Sequence, residues 1–243
     1  PGTKFITIGG AIASDVHGKN HHLNGSFGSW VQSLRLIIAD GSIINCSNTE
    51  NSDLFRATIG GMGLTGLILD ATIKLVELKS ALIEQTTIQA RDLQHLFELF
   101  EQHKQKKYTV SWLDTGSKSG KSGRGVLFVG EESYDKKALV LSKPKINIPF
   151  YLPKSTLNNL SVGLLNKFYY SKNKNANAVV GFDKFFYPLD ILNNWNRGYG
   201  KKGFIQYQFV VPKSVSLNVI TKVLKKMQDY GVSSFLTVLK LMG

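Results

Sequence analysis

The stretch Gly60-Gly61-Met62-Gly63-Leu64-Thr65-Gly66 puts four glycines into seven residues. Backbone without Cβ can take positive φ and can pass close to another segment or to a flat ligand. The flanks are well defined by pattern. Residues 33–39 read as a buried strand, Asp40-Gly41 as a tight hairpin turn, and 42–46 as the returning strand. Residues 51–59 open with helix-capping chemistry, and 67–76 read as a further strand.

A second glycine-bearing segment opens the chain. Ile6-Thr7-Ile8 before Gly9-Gly10-Ala11 predicts a β-branched strand running into a turn, followed by a polar stretch with Asp15, His17, His21 and His22. In such a turn the main-chain N–H groups of Gly9 and Gly10 can press against a ring or a pyrophosphate, with the His17 imidazole at the same edge. A Gly-Gly turn after a strand is also an ordinary structural turn.

Composition sets the outer bounds. A chain of 243 residues, 42% hydrophobic, can bury a substantial core in one large or two modest domains. No apolar run has the length of a transmembrane span. Cys46 is the single cysteine, which excludes an internal disulfide and a thiolate metal cluster and reads as a small hydrophobe in a strand. The charge is +13, from 30 Lys+Arg against 17 Asp+Glu. The lysines scatter over 104–107, 118–124, 136–137, 143–145 and 167–174 without a helical stripe. Three partners suit such a surface in descending order: solvent alone, a lipid-phosphate substrate near a membrane surface, and nucleic acid. For the last, no recognition helix, zinc pattern or ribonucleoprotein motif is visible, so no nucleic acid is expected.

Two patterns resemble sites and fail on spacing. Gly116-Ser117-Lys118-Ser119-Gly120-Lys121-Ser122 has three residues between its glycines where a phosphate-binding P-loop needs four, so it reads as a mobile loop or a lid. His17, His21 and His22 would share a helix face, but Gly18 and Asn24-Gly25 argue against a helix and no carboxylate pair is near, so no metal is expected.

The order strand, Asp-Gly, strand, Asp53-Leu54-Phe55, Gly60-Gly61-x-Gly63, Thr65-Gly66-Leu67-Ile68 resembles the second half of the flavin domain of FAD-linked oxidases of the vanillyl-alcohol oxidase type. Asp15-x-His17-Gly18-Lys19-Asn20-His21-His22 followed by Gly25-Ser26-Phe27-Gly28 is similar to the decaprenylphosphoryl-β-D-ribose oxidase branch. That branch oxidises a lipid-linked sugar as half of an epimerisation. The likeness continues through Pro188-Leu189-Asp190, Trp195-Asn196-Arg197-x-Tyr199-Gly200, Gly203 to Val210 and Ser234-Phe235-Leu236, and is poor from about 115 to 177.

The resemblance implies an α+β chain. Its first part, residues 1–78, would be the second half of a two-subdomain FAD-binding domain, and 79–243 most of a sheet-plus-helices substrate domain. It implies non-covalent FAD lined by Gly2, Thr7, Ile8, Gly9, Gly10, Ser14, Asp15, Val16, His17 and Ile68. Family members carry a further flavin-binding segment before the position of Pro1 and a base candidate beyond that of Gly243. The chain therefore reads as a fragment with incomplete chemistry and weak FAD affinity. The expected partners are a lipid-linked or small sugar, a reductase completing the epimerisation and a membrane surface, with a cytoplasmic or membrane-associated location left open.

Periodicity fills in the second part. Strands are predicted at 81–90, 107–113, 204–211 and 234–241. Helices are predicted at 92–103, capped by Asp92, at 160–170, and at 215–230, stopped by Gly231. Two strand-helix-strand units suggest a sheet covered by helices on one face. Residues 143–153 read as extended connecting chain.

Alternation in 204–211 would set Gln206 and Gln208 on one face, either holding sugar hydroxyls or facing solvent. Lys240, in an apolar strand, is either a strand-end charge or a pocket cation, and the resemblance favours the pocket. Trp112 either walls that pocket or packs the core. Phe186 and Tyr187 stand where the family has tyrosine and histidine, and Val110 replaces a small polar residue. The implied catalytic set is Lys240, Gln208 and His17, and the implied substrate set is Gln206, Gln208, Lys240, Trp112 and Phe186. A basic polyanion-binding module with purely structural glycine turns is the alternative function.

Overall fold

The computed structural model describes residues 1–116, 123–135, 137, 139 and 146–243. The P-loop-like segment, expected as a mobile loop or lid, lies outside the described residues from 117 to 122, as does 143–145 of the predicted connecting chain. The chain forms two compact units, residues 1–79 with 242–243, and residues 80–241.

The first unit carries α1 (Ile8–Ala13), α2 (His21–Asn24), β1 (Val31–Ile37), β2 (Ile43–Ser47), α3 (Ser52–Thr58) and β3 (Leu67–Ile73). The strands form one antiparallel sheet in the order β2-β1-β3. The Asp40-Gly41 turn forms as expected: Gly41 takes φ +86°, and the Asp40 carboxylate accepts the Ser42 amide at 2.9 Å. Leu34, Leu36, Cys46, Phe55 and Ile12 close the core over this sheet.

The opening segment is helical where a strand was expected. Thr7 takes extended geometry and its hydroxyl accepts the Gly10 amide at 3.1 Å, a helix N-cap that starts α1 and buries Ala11 and Ile12. Burial of that face overrides the β preference of Ile6-Thr7-Ile8 and the helix cost of two glycines. The histidine segment also departs from expectation, because His21 and His22 lie on a single helical turn. At 51–59 the helix forms, but Asn51 sits in the left-handed region and its amide serves the Asn45 carbonyl at 2.8 Å instead of capping.

The second unit carries β4 (Leu82–Ala90), α4 (Leu93–Gln102), β5 (Tyr108–Leu113), β6 (Gly125–Glu132), β7 (Ile146–Asn147), α5 (Asn159–Lys172), β8 (Ala176–Gly181), α6 (Phe182–Phe186), β9 (Leu192–Asn193), α7 (Lys213–Asp229) and β10 (Val238–Leu239). Its main sheet runs β10-β5-β6-β4-β8, with antiparallel pairing throughout. Asp92 caps α4 by accepting the His95 amide at 2.8 Å. Leu93, Leu96 and Phe100 of α4 and Ile220 and Leu224 of α7 pack on Leu113, Leu127 and Val129 of the sheet.

Two predicted strands are corrected. Residues 204–211 form no strand and pair with none among the described residues, so they form no sheet edge. Of 234–241 only Val238–Leu239 pairs, against Trp112 and Ser111. An extended segment becomes a strand only when a neighbour takes its N–H and C=O groups, which alternation cannot show. β6, β8 and α6 were not foreseen, and β6 fills the centre of the sheet between β5 and β4.

Candidate functional site

In the first unit the two glycine segments meet through their backbones. Gly60 N–H donates to the Ile12 carbonyl at 3.0 Å and Met62 N–H to the Ala13 carbonyl at 2.8 Å. A Cβ on Gly9 would lie 3.9 Å from the Ile68 Cβ. Thr7 to Val16, Ile68 and the Gly60–Gly66 loop therefore form one neighbourhood. Two of the loop glycines are required sterically, since a Cβ on Gly61 would overlap the Ala57 carbonyl and one on Gly66 the Ile37 carbonyl. Gly63, at φ +78°, faces open space.

The same neighbourhood exposes apolar side chains. Met62 is 72% and Leu64 90% exposed, and Ile8 and Leu67 are exposed beside them. Large apolar groups gathered at a surface mark a place where something else sits. An open glycine with exposed apolar groups around it fits a flat aromatic ring, and this is the region expected to line FAD. The polar expectations divide more finely. Asp15 turns its carboxylate to the Gly28 amide at 2.7 Å, and the Ser14 amide closes α1 on Gly10 at 3.0 Å. Val16 accepts the Phe27 amide at 2.9 Å, and the His17 ring stands edge-on to His21 at 6.2 Å. Gly2 lies in the irregular leading segment.

In the second unit, Trp112 and Lys240 share one face of the sheet. Val238 pairs with Trp112, and Leu239 and Leu241 pack into the α4/α7 core, so alternation sends Lys240 to the opposite side with Trp112. Burial pushes the Lys240 ammonium down to about 8. Trp112 is 6% exposed, with its indole N–H on the Phe235 carbonyl at 2.8 Å and its ring 4.8 Å from Tyr169. It packs the interior in this structure. Phe186 joins an aromatic group with Phe182 and Tyr108, at ring distances of 4.4 and 4.8 Å. Gln206 and Gln208 are exposed on the unpaired segment and have not been brought to the Trp112 face by any strand pairing.

Two features escaped sequence reasoning. Tyr199 stacks on Phe235 at 5.6 Å and lies 4.3 Å from Phe204, joining residues 199–204 to the distant Phe235. Buried Asp114 and Asn166 form a polar group with the partly buried Arg124. Its signal was a charged residue directly following the apolar strand β5. Among the described residues, no group of three or more His, Cys, Asp or Glu side chains is placed to hold a metal ion.

Comparison with known proteins bears on this geometry. Residues 1–47 match the family described as the FAD binding domain. Over 256 aligned residues the chain is 36% identical to decaprenylphosphoryl-β-D-ribose oxidase of Mycolicibacterium smegmatis, covering 100% of this chain and 55% of that protein. It is 26% identical over 262 residues to an uncharacterised protein of Streptomyces coelicolor encoded in the mprA 5′ region, covering 100% of this chain and 70% of that protein. Mouse L-gulonolactone oxidase matches at 37% over 73 residues, 29% of this chain and 16% of that protein. The class these matches support is the FAD-linked oxidase, an α+β flavoprotein whose cofactor is FAD. Within that class the likeness over the full chain is to the decaprenylphosphoryl-ribose oxidase branch, of whose curated member the chain spans about half the length, 55%.

Proposed function

We propose that this chain is part of an FAD-dependent oxidoreductase that oxidises a secondary alcohol of a sugar, a pentose linked to a lipid phosphate. Residues 1–78 act as the second part of the FAD-binding domain and 79–243 as a substrate domain. The observation that carries the reading is the junction of α1 with the Gly60–Gly66 loop through Gly60 and Met62. When bound, FAD supplies a hydride acceptor. The chain's own residues then bind and orient: Thr7, Ile8, Gly9, Gly10, Ser14, Asp15, Val16, Ile68 and Gly2 hold the cofactor without a covalent link, and His17 touches its edge.

Lys240, Gln206 and Gln208 bind the sugar through hydroxyl or phosphate groups, with Phe186 and Trp112 shaping the apolar surroundings. Lys240 with a pKa of about 8 is mostly an ammonium at neutral pH, which suits a phosphate or a polarised hydroxyl. We assign the catalytic roles to Lys240, Gln208 and His17, whose task in this reading is to align the reacting carbon and supply polarity. The net charge of +13 supports a lipid phosphate presented at a membrane surface. Among the described residues no helix is long and apolar enough to cross a membrane. A reductase acting on the keto product would complete an epimerisation.

The test is anaerobic titration of the whole protein containing this chain. A yellow chromophore that bleaches with a phosphorylated pentose, and not with a polyanion lacking the sugar, supports the reading. A colourless protein that binds polyanions with steep salt dependence overturns it.

A further inference from the structure

Behind the Trp112 face lies a polar group whose composition is poor for stability alone. Asp114 is 2% exposed and follows β5 directly. One of its oxygens accepts from Arg124 Nε at 2.8 Å, and the other from Asn166 Nδ2 at 2.8 Å and the Gly116 amide at 2.9 Å. The Arg124 guanidinium lies 4.6 Å from the Tyr170 ring of α5. Asn166, 1% exposed on α5, also donates to the Ser234 carbonyl at 3.1 Å. Its Oδ1 is buried with no hydrogen-bond partner among the described residues. A part-buried ion pair joined to a half-satisfied buried amide is a costlier solution than a leucine core of equal volume. Such a group is expected where a particular geometry has to be held.

The geometry concerned is that of residues 234–239. Thr115 Oγ1 donates to the Ser234 carbonyl at 3.1 Å and accepts the Ser234 amide at 2.8 Å. Trp112 Nε1 holds the Phe235 carbonyl at 2.8 Å, and Leu113 N–H the Thr237 carbonyl at 3.0 Å. Ser111 Oγ takes the Leu239 carbonyl at 3.2 Å. Only Val238 and Leu239 have strand pairing here. Side chains of β5, its following residues and α5 do the work that a ladder does elsewhere, and they fasten the backbone leading directly into Lys240.

We propose that Asp114, Asn166 and Thr115 are positioning residues, which clamp residues 234–239 along β5 and thereby hold Lys240 on the Trp112 face of the sheet. This rests on the reading of Lys240 as a substrate-binding group, but the clamp itself is tested without substrate or flavin. Thr115→Val and Asn166→Leu remove its hydrogen bonds with little change of volume, and Thr115→Ser keeps the hydroxyl.

The experiment is competitive acylation of the folded protein, comparing Lys240 with exposed Lys222 by peptide mass spectrometry. In the unsubstituted protein at pH 8, where burial leaves a large share of Lys240 as neutral amine, Lys240 is expected to react at least tenfold faster than Lys222, since only the neutral amine is acylated. Thr115→Val and Asn166→Leu are expected to close that gap to threefold or less, and Thr115→Ser to restore it. Ile220→Val, a destabilising change in the α4/α7 core, is the control for purely structural loss and is expected to leave the gap intact. A gap unchanged in Thr115→Val and Asn166→Leu, or equally lost in Ile220→Val, overturns the proposal. Should both clamp variants lose the native circular dichroism spectrum, hydrogen exchange in the unsubstituted protein decides. Protection of the Ser234 amide equal to that of central β5 amides supports the clamp, and loop-like exchange overturns it. A labelling response in a protein that does not oxidise sugars leaves the clamp standing and removes the substrate reading.

Discussion

Met62 N–H donates to the Ala13 carbonyl at 2.8 Å, which docks a glycine-rich loop onto the end of a helix far away in sequence. With Gly60 on Ile12, this contact makes a single surface out of two segments that neither repeat nor adjoin. The surface offers an open glycine and exposed apolar side chains, which suits a planar cofactor.

Gly66 is expected to be the most sensitive glycine of this surface. It takes φ +149°, and a Cβ there would overlap the Ile37 carbonyl of the hairpin. Gly66→Ala is expected to cost roughly 2–3 kcal/mol of first-unit stability through strain and backbone shift. Gly63→Ala meets nothing and is expected to cost about 1 kcal/mol or a little more from its positive φ alone. Urea denaturation of the two variants measures the difference.

Thr7→Ala removes the hydroxyl that caps α1 through the Gly10 amide. A loss of about 1 kcal/mol is expected. In the whole protein the variant is also expected to raise the flavin dissociation constant, because α1 carries several of the proposed cofactor contacts. Equilibrium dialysis of FAD against both proteins reads this.

Lys240 makes stability depend on alkaline pH. Its ammonium is lowered from 10.5 to about 8 by burial, so between these values the unfolded chain keeps a proton the folded chain has released. Stability attributable to this group therefore rises with pH from about 8 to 10.5 and is constant below. Lys240→Met is expected to flatten that rise and to stabilise the protein at pH 7 by up to about 3 kcal/mol, at ~1.4 kcal/mol per pKa unit. Thermal melts between pH 7 and 11 measure the slope.

Gln206 and Gln208 are exposed and lie outside any sheet, so their replacement by leucine is expected to change stability by less than about 0.5 kcal/mol. If they bind the sugar, each change is expected to raise KM several-fold in the whole enzyme. Steady-state kinetics alongside a melting curve separates the two effects.

Much of the fold was legible where one local pattern met no rival. The 33–46 hairpin, the Asp92-capped α4 and the apolar stripe of α7 each carry their own periodicity and punctuation, and each forms as read. α1 was not legible, because Ile6-Thr7-Ile8-Gly9-Gly10 has strand composition. Its helix depends on burying Ile12 and on the docking of Gly60 and Met62. Residues 204–211 mislead in the opposite direction, having strand alternation without a neighbour to pair with. Asp114, Arg124 and Asn166 are spread over about fifty residues, and no spacing rule links them.

Sequence by itself carried the resemblance to FAD-linked oxidases and determined the elements whose stabilising contacts lie within a few residues of one another. Tertiary structure alone decided that the two glycine segments share one surface, that Lys240 lies on the face of Trp112, and that residues 234–239 are held mainly by side chains. Those relationships come from hydrogen bonds and burial between distant positions, and such free energies appear only once the chain has brought the partners together.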